Sequence, residues 1–296
     1  MNGLLVVDKP AGITSHDVVN RLRRITGERS IGHLGTLDPM ATGVLPLLMG
    51  KYTRLAQYFS SAVKGYSGAI RLGFSTSTYD AEGEPSGPDR WPEFANSLSL
   101  EHIRSAAARF HGEMEQTPPP FSAKKIEGKP AYKLARQGQP VELKPAKVYL
   151  PSFEIVALEG PEAGFTIVIS SGGYVRSVAH ELGRDLGCGA HLSRLRRTAA
   201  GPFTLAEAHT LDELDALAGN IEGLEELCVH PRSLLPQMPA VTADAHSLAR
   251  LRNGAQANLP EFSQAPLVRV FASQWELAGI ARRVAGTLFQ PVLVMG

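Results

Sequence analysis

One carboxylate stands out by its setting. In GHLGTLDPMATGVLPL, residues 32–47, Asp38 is the single acidic side chain, set among glycines, prolines and the apolar Leu37, Met40, Val44 and Leu45. An Asp-Pro step in a glycine-rich loop serves turn chemistry, with the carboxylate bonded to nearby backbone N–H groups and Pro39 fixing φ. A lone carboxylate beside apolar surface also needs a cationic or hydrogen-bonding partner, and so placed it can act as a nucleophile. Both readings stand on these residues alone. His33, five residues earlier, either satisfies loop backbone or faces a ligand. Cys188-Gly-Ala-His191 and Cys228-Val-His230 look superficially like two halves of a zinc site. Neither half has a common zinc-finger spacing, and buried cysteines behave as inert hydrophobes. No GxxxxGKS/T phosphate loop and no GxGxxG dinucleotide fingerprint occurs.

Several elements must position these groups. GLLVVDKP is an apolar run stopped by proline, a buried strand entering a turn. ITSHDVVNRLRRITG predicts a helix with Ser15 as N-cap, Gly27 as C-cap and Val18, Val19, Leu22 and Ile25 on one face. The loop of Asp38 follows, then VLPLLMG and a helix around TRLAQYFSSA ending near Lys64. Tyr66, Ile70, Leu72 and Phe74 alternate as a half-buried strand. A turn-rich loop, TSTYDAEGEPSGPDRWPEF, leads to a helix capped by Ser99 and running to Phe110. A proline-broken basic segment with one short helix near Tyr132–Arg136 comes next. FTIVIS, residues 165–170, reads as a strand. In GGYVRSVAHELGRDLG, Val175, Val178, Ala179, Leu182 and Leu186 have helical spacing, which puts Tyr174 and Arg176 at a strand-to-helix junction. The texture changes past LLPQMPAV, so a boundary is expected near residue 238, with a small, mostly β unit beyond it.

Composition bounds the rest. The 296 residues are 43% hydrophobic and 20% charged, ordinary for a globular chain of about two domains. No run approaches the roughly 20 apolar residues of a membrane span, and the N-terminus lacks a basic leader, so a cytoplasmic protein is expected. The net charge of +1 hides a segregation. Residues 121–147 hold seven Lys and Arg against two Glu, and Arg194, Arg196 and Arg197 form a second basic cluster. Such surface is either a polyanion-binding groove or solvated helix faces.

Six blocks, in order, resemble the TruB family of tRNA pseudouridine synthases: LLVVDKPAGITSHDVV, GHLGTLDPMATGVLPL, KGYSGAIRLG, PPPFSAKKIEGKPAYKLARQG, SSGGYVRSVAHELGRDLGCGAHLSRLRRT and LLPQMPAV. The chain departs from the family pattern at Thr36, where alanine is common, and at Gly172-Gly173, where Gly-Thr is expected. The resemblance implies an α+β fold: a pseudouridine synthase domain over residues 1–238, with a largely antiparallel mixed sheet flanked by helices. For residues 239–296 it implies a small β-rich RNA-binding domain of PUA type, similar in size and position only. It also implies an isomerase that converts uridine 55 in the T loop of tRNA to pseudouridine by base flipping. No cofactor, no metal and no obligate protein partner are expected, and the chain is expected to act as a monomer.

Carried over residue by residue, the family's catalytic aspartate falls on Asp38, its base-stacking tyrosine on Tyr66 and its aspartate-pairing arginine on Arg176. The histidine that helps extract the base falls on His33, and Tyr174 and Leu195 match positions lining the uridine pocket. Lys9, Lys124, Lys125, Lys129, Arg136 and Arg196 are expected to bind the RNA. The chemistry suits these types. A flipped base costs a few kcal/mol, stacking on an aromatic ring returns about 1 to 3 kcal/mol, and a bidentate arginine favours the charged form of a carboxylate and orients it. Two other readings are a non-catalytic tRNA-binding or folding protein and a subunit of a guide-dependent synthase.

Overall fold

A computed structural model describes residues 1–122, 124–126, 129–131 and 143–295. Arg136 and the expected helix near Tyr132–Arg136 lie outside the described residues, as do the side chains of Lys125 and Lys129.

GLLVVDK forms strand β1, Gly3–Lys9, and its unbroken apolar run has a cause: both faces are covered. Leu5 and Val7 pack toward one core with Val18 and Leu22 of helix α1, Ser15–Thr26. Leu4 and Val6 pack toward a second core with Phe271, Leu277, Ile280 and Leu293. Thr14 caps α1, not Ser15 as the sequence suggests: its side chain accepts from the N–H of Asp17, whose carboxylate bonds the Thr14 N–H in return. Ser15 is buried instead, its hydroxyl exchanging hydrogen bonds with the backbone of Leu37, at 3.1 Å to the carbonyl and 2.8 Å from the N–H. The first turn of α1 is thus tied to the residue before Asp38. Gly27 ends the helix in the left-handed conformation, as expected.

Strands β2 (Ile31–His33), β3 (Thr42–Met49), β4 (Lys64–Leu72), β5 (Ser152–Glu159), β6 (Glu162–Ile169) and β7 (Ala190–Ala200) complete most of a nine-stranded mixed sheet. Its path runs from a short strip at Ala208–His209 through β1, β3, β7, β4 and β6 to β5. Pairings are antiparallel except where β3 meets β7 and β1 meets the short strip. Helix α2 (Leu100–Ala107), capped by Ser99, and helix α3 (Val175–Asp185) cover the first face with α1. The helix expected around Thr53–Ala62 is a 3-10 segment, Gly50–Tyr58, because Tyr52 and Leu55, three residues apart, are the pair it buries. β7 is absent from the sequence reading. Two register shifts, at Leu192/Arg194 and Arg197/Ala199, break the period-two alternation that would have shown it.

From Ala240 onward the chain forms a separate five-stranded sheet with a helix at Ala245–Arg252. Phe271, Leu277 and Leu293 of this unit close the second core against Leu4, Val44 and Leu48 of the large sheet.

β3 and β7 touch at Gly43, opposite Arg197, with φ 103° and a Cβ position only 2.2 Å from the Arg197 carbonyl oxygen. Only glycine allows that approach. Gly43→Ala is expected to lower stability by at least about 1–3 kcal/mol, read as a fall in the urea midpoint. Gly87→Ala, with nothing within 4 Å of its Cβ position, is expected to stay within about 0.5 kcal/mol.

Candidate active site

The loop joining β2 to β3 presents Asp38 to Arg176, which lies 138 residues away in the first turn of α3. The pair is side-on: Arg176 Nε is 2.9 Å from Asp38 Oδ2 and Nη2 is 3.2 Å from Oδ1. The rest of the guanidinium is also engaged. Nη1 donates to the Thr78 carbonyl at 3.2 Å and faces Asp80 Oδ2 at 3.3 Å, while Nη2 also donates to the Phe121 carbonyl at 3.0 Å. All of the roughly five N–H donors of an arginine are directed at an acceptor, which holds the guanidinium in one orientation. Arg176 and Asp80 are buried, but the Asp38 side chain is 33% exposed. Asp38 is therefore the member of this network open to a ligand.

Asp80 went unnoticed in the turn-rich TSTYDAEG. Tyr79 stands before it in the left-handed region, φ 65°, a conformation that costs about 1 kcal/mol or more for such a residue. With this turn, the Thr78 carbonyl and the Asp80 carboxylate reach the same guanidinium nitrogen. The Tyr79 ring stacks on His180, one helical turn beyond Arg176, with centroids 3.8 Å apart.

Asp38-Pro39 does form a turn, but through its backbone: among the described residues no backbone N–H donates to the Asp38 carboxylate, contrary to the expected turn chemistry. The Asp38 carbonyl accepts from the Ala41 N–H at 3.1 Å, closing a turn, and the carboxylate is left for Arg176. Two buried cations brace this loop from below. Lys9 is fully buried and gives its ammonium donors to the carbonyls of Pro10, Ile13 and Pro39, at 2.9, 2.7 and 3.2 Å. Arg197, also fully buried, donates to the carbonyls of Val44, Gly35 and Thr36, at 2.6, 3.1 and 3.4 Å. Lys9, expected to bind RNA, is a brace for the Pro39 carbonyl because its donors are already spent. Arg196 is half-buried and pairs with both carboxylate oxygens of Asp8, at 3.0 and 2.7 Å. Of the expected basic cluster at 194–197, Arg197 is internal, Arg196 is half-buried against Asp8 and Arg194 is exposed.

Tyr66 sits on β4 directly opposite Arg197 of β7. Leu195, two residues before Arg197, is buried in the same core. Tyr174 is fixed by its backbone, which exchanges hydrogen bonds of 2.7 and 3.0 Å with the Gln116 side chain. His33 Nδ1 accepts from the Gly35 N–H at 3.3 Å, which leaves its other ring nitrogen as the proton carrier of the neutral form. Lys124 is half-buried, and Lys144 and Lys147 are exposed.

Burial controls the titration of the site. It raises the Asp38 carboxyl above the usual range; Arg176 opposes this and Asp80 reinforces it. Burial raises the Tyr66 phenol against the pull of Arg197, and lowers the His33 imidazole, where Arg197 adds to the effect. Burial also brings Lys9 down to about 8, with Asp38 opposing. The cysteines stand apart from this site. Both are free, and burial pushes the Cys228 thiol up to about 12. No helix among the described residues is long and apolar enough to cross a membrane.

Comparison with known proteins adds to the geometry. The family profile described as TruB family pseudouridylate synthase, N-terminal domain, matches residues 23–175, and that of the tRNA pseudouridylate synthase B C-terminal domain matches residues 176–235. The chain is 44% identical to the tRNA pseudouridine synthase B of Solibacter usitatus, over 100% of both chains. It is 49% identical to that of Opitutus terrae, over 73% of this chain and 88% of the other. Among solved structures, a Cbf5-Nop10-Gar1 complex aligns with a TM-score of 0.71 at 25% identity, covering 99% of this chain and 85% of that one. An H/ACA ribonucleoprotein bound to a substrate RNA containing 2′-deoxyuridine aligns at 0.70 and 24% identity, over 99% and 85%.

The charge arrangement has a direct readout. The Asp38 carboxyl, followed by carbon-13 NMR, is expected to titrate above the ordinary aspartate value of about 3.9. Asp80→Asn removes a like charge and is expected to lower that midpoint; Arg176→Gln removes the opposing cation and is expected to raise it.

Proposed function

The chain belongs to the TruB family of pseudouridylate synthases, and from that premise we propose that it converts uridine 55 of the tRNA T loop to pseudouridine. Relatives of 38–49% identity carry the name tRNA pseudouridine synthase B. The observation that carries the reading is the side-on pair of Asp38 and Arg176, with the half-buried carboxylate as its more accessible member.

The reaction breaks the bond from ribose C1′ to N1 of uracil, turns the base, and joins C1′ to C5. C5 then gives up its proton and N1 gains one, so the product is an isomer. The target base must first leave its stack. Tyr66 offers the aromatic surface to receive it, and it lies directly opposite Arg197 on the neighbouring strand. His33 takes space vacated by the flipped base. Asp38 works as an anion at the sugar and base, and Arg176 keeps it charged and aimed without being transformed. The raised phenol of Tyr66 makes it a poor base for the C5 proton until substrate changes its surroundings, so stacking is its first role.

Residues 1–238 form the catalytic unit in this reading and 239–296 a PUA-like RNA-binding unit. The protein acts in the cytoplasm as a monomer on its own. Exposed Lys144, Lys147 and Arg194 support unaided RNA binding, with Lys124, Lys125, Lys129 and Arg136 completing the basic segment. The relatives at 38–49% identity favour this over a guide-dependent role, which the ribonucleoprotein neighbours bring to mind at 24–25%.

Purified protein is expected to release tritium from a T stem-loop labelled at C5 of the target uridine, and not when that uridine is cytidine. Asp38→Asn is expected to abolish release while RNA binding stays within a few fold; near-normal release by that variant contradicts the reading. Because Asp38 acts as the anion and its pKa is raised, kcat/KM is expected to fall as pH drops through a midpoint above about 3.9.

A further inference from the structure

Tyr79 holds a backbone conformation that its side chain disfavours. At φ 65° it stands in the left-handed region, where glycine or asparagine is at ease and a bulky aromatic residue is an outlier. Backbone bonds fix one side of the turn. The Tyr79 carbonyl accepts from the Leu192 N–H of β7 at 3.0 Å, the Tyr79 N–H donates to the Thr76 carbonyl at 3.2 Å, and the Ala81 N–H donates to the Leu192 carbonyl at 3.0 Å. A glycine would make these bonds equally well, so they do not account for the ring.

The ring lies flat on His180, with the two planes 12° from parallel. His180 Nδ1 is buried and has no hydrogen-bond partner among the described residues, so the imidazole is placed by its face and not by that nitrogen. His180 follows Arg176 by four residues on α3, on the same face of the helix. That face therefore meets one turn twice. Arg176 Nη1 takes the Thr78 carbonyl and faces Asp80 Oδ2, and His180 takes the Tyr79 ring that lies between them in the chain. Asp80 Oδ1 is engaged inside the turn, by the Glu82 N–H at 3.1 Å, so the turn and its carboxylate move together.

We propose that Tyr79 and His180 are positioning residues for the isomerisation: their stack docks the Asp80 turn on α3 and so locks the guanidinium that aims Asp38. This rests on the uridine-isomerase reading above. Without the stack, the turn keeps its bonds to β7 and loses its grip on the helix, and both acceptors of Arg176 Nη1 move with it. Arg176 is then held only through Nε and Nη2, by Asp38 and the Phe121 carbonyl. The side-on pair is free to swing as a unit, and the carboxylate loses its aim. Both residues act through Arg176 and neither needs to touch the uridine.

Tyr79→Gly removes the ring while suiting the left-handed backbone, and His180→Ala removes the other half of the stack. The first readout needs no RNA. Hydrogen exchange at Arg176 Nε–H, followed by nitrogen-15 NMR against the backbone amides of α3, is expected to quicken about tenfold or more in both variants. Tyr79→Phe keeps the ring and is expected to exchange at the wild-type rate. The second readout is the single-turnover rate on a T stem-loop at saturating protein, expected to fall about tenfold in Tyr79→Gly with RNA affinity within about twofold, and to recover in Tyr79→Phe. Added to Asp80→Asn, Tyr79→Gly is expected to cost little more, because both release the same guanidinium nitrogen. A merely structural role would lower the urea midpoint without singling out Arg176 Nε–H. The proposal is overturned if that exchange is unchanged in both Tyr79→Gly and His180→Ala, or if the rate losses of Tyr79→Gly and Asp80→Asn multiply. Wild-type protein inactive on the T stem-loop would count against the isomerase reading alone, since the exchange result stands without substrate.

Discussion

The guanidinium of Arg176 is the joint on which the site depends. It takes one carboxylate from the β2–β3 loop, one from the loop after β4, and carbonyls from Thr78 and Phe121. These segments have no covalent reason to meet. Burying an arginine costs several kcal/mol, and removing one partner of a buried pair costs about 3–5 kcal/mol because the other charge is left unmatched. Such an arrangement is a poor way to gain stability and a good way to hold geometry. It also carries one more negative than positive charge, and the excess rests with Asp38, the half-buried carboxylate.

Around this joint the fold uses cations as hooks for carbonyl groups. Lys9 and Arg197 are fully buried, and each gathers backbone oxygens on one side of the Asp38 loop. The loop is glycine-rich and would otherwise be free to move. Its rigidity comes from below, from β1 and β7, while Ser15 ties Leu37 to the first turn of α1. Gly43 lets β3 and β7 close enough for Arg197 to reach the loop. The sheet thereby sets the position of the carboxylate, and α3 sets its orientation.

Much of this frame was legible from residue patterns. The apolar run of β1, the apolar face of α1 with its Gly27 stop, the Ser99 cap and the helical spacing from Val175 all report local preferences, and local preferences survive in the fold. Asp38 was conspicuous because a lone carboxylate among apolar residues demands a partner. The identity of that partner rested on family resemblance, since no local pattern links residues 138 apart. Asp80 looked like one more turn residue, and nothing in TSTYDAEG marks its burial against a helix. β7 was hidden by its register shifts, and Lys9 and Arg197 read as surface charge because basic residues are seldom fully buried.

In the proposed reaction, the forked donors of Arg176 matter as much as its charge, because they aim the Asp38 carboxylate. Arg176→Lys separates these properties: it keeps a cation and removes the side-on pair. The decisive measurement is the single-turnover rate of pseudouridine formation by that variant on a T stem-loop at saturating protein. The rate is expected to fall at least about tenfold with RNA affinity nearly unchanged. Isomerisation by the Arg176→Lys variant at the wild-type rate would contradict it.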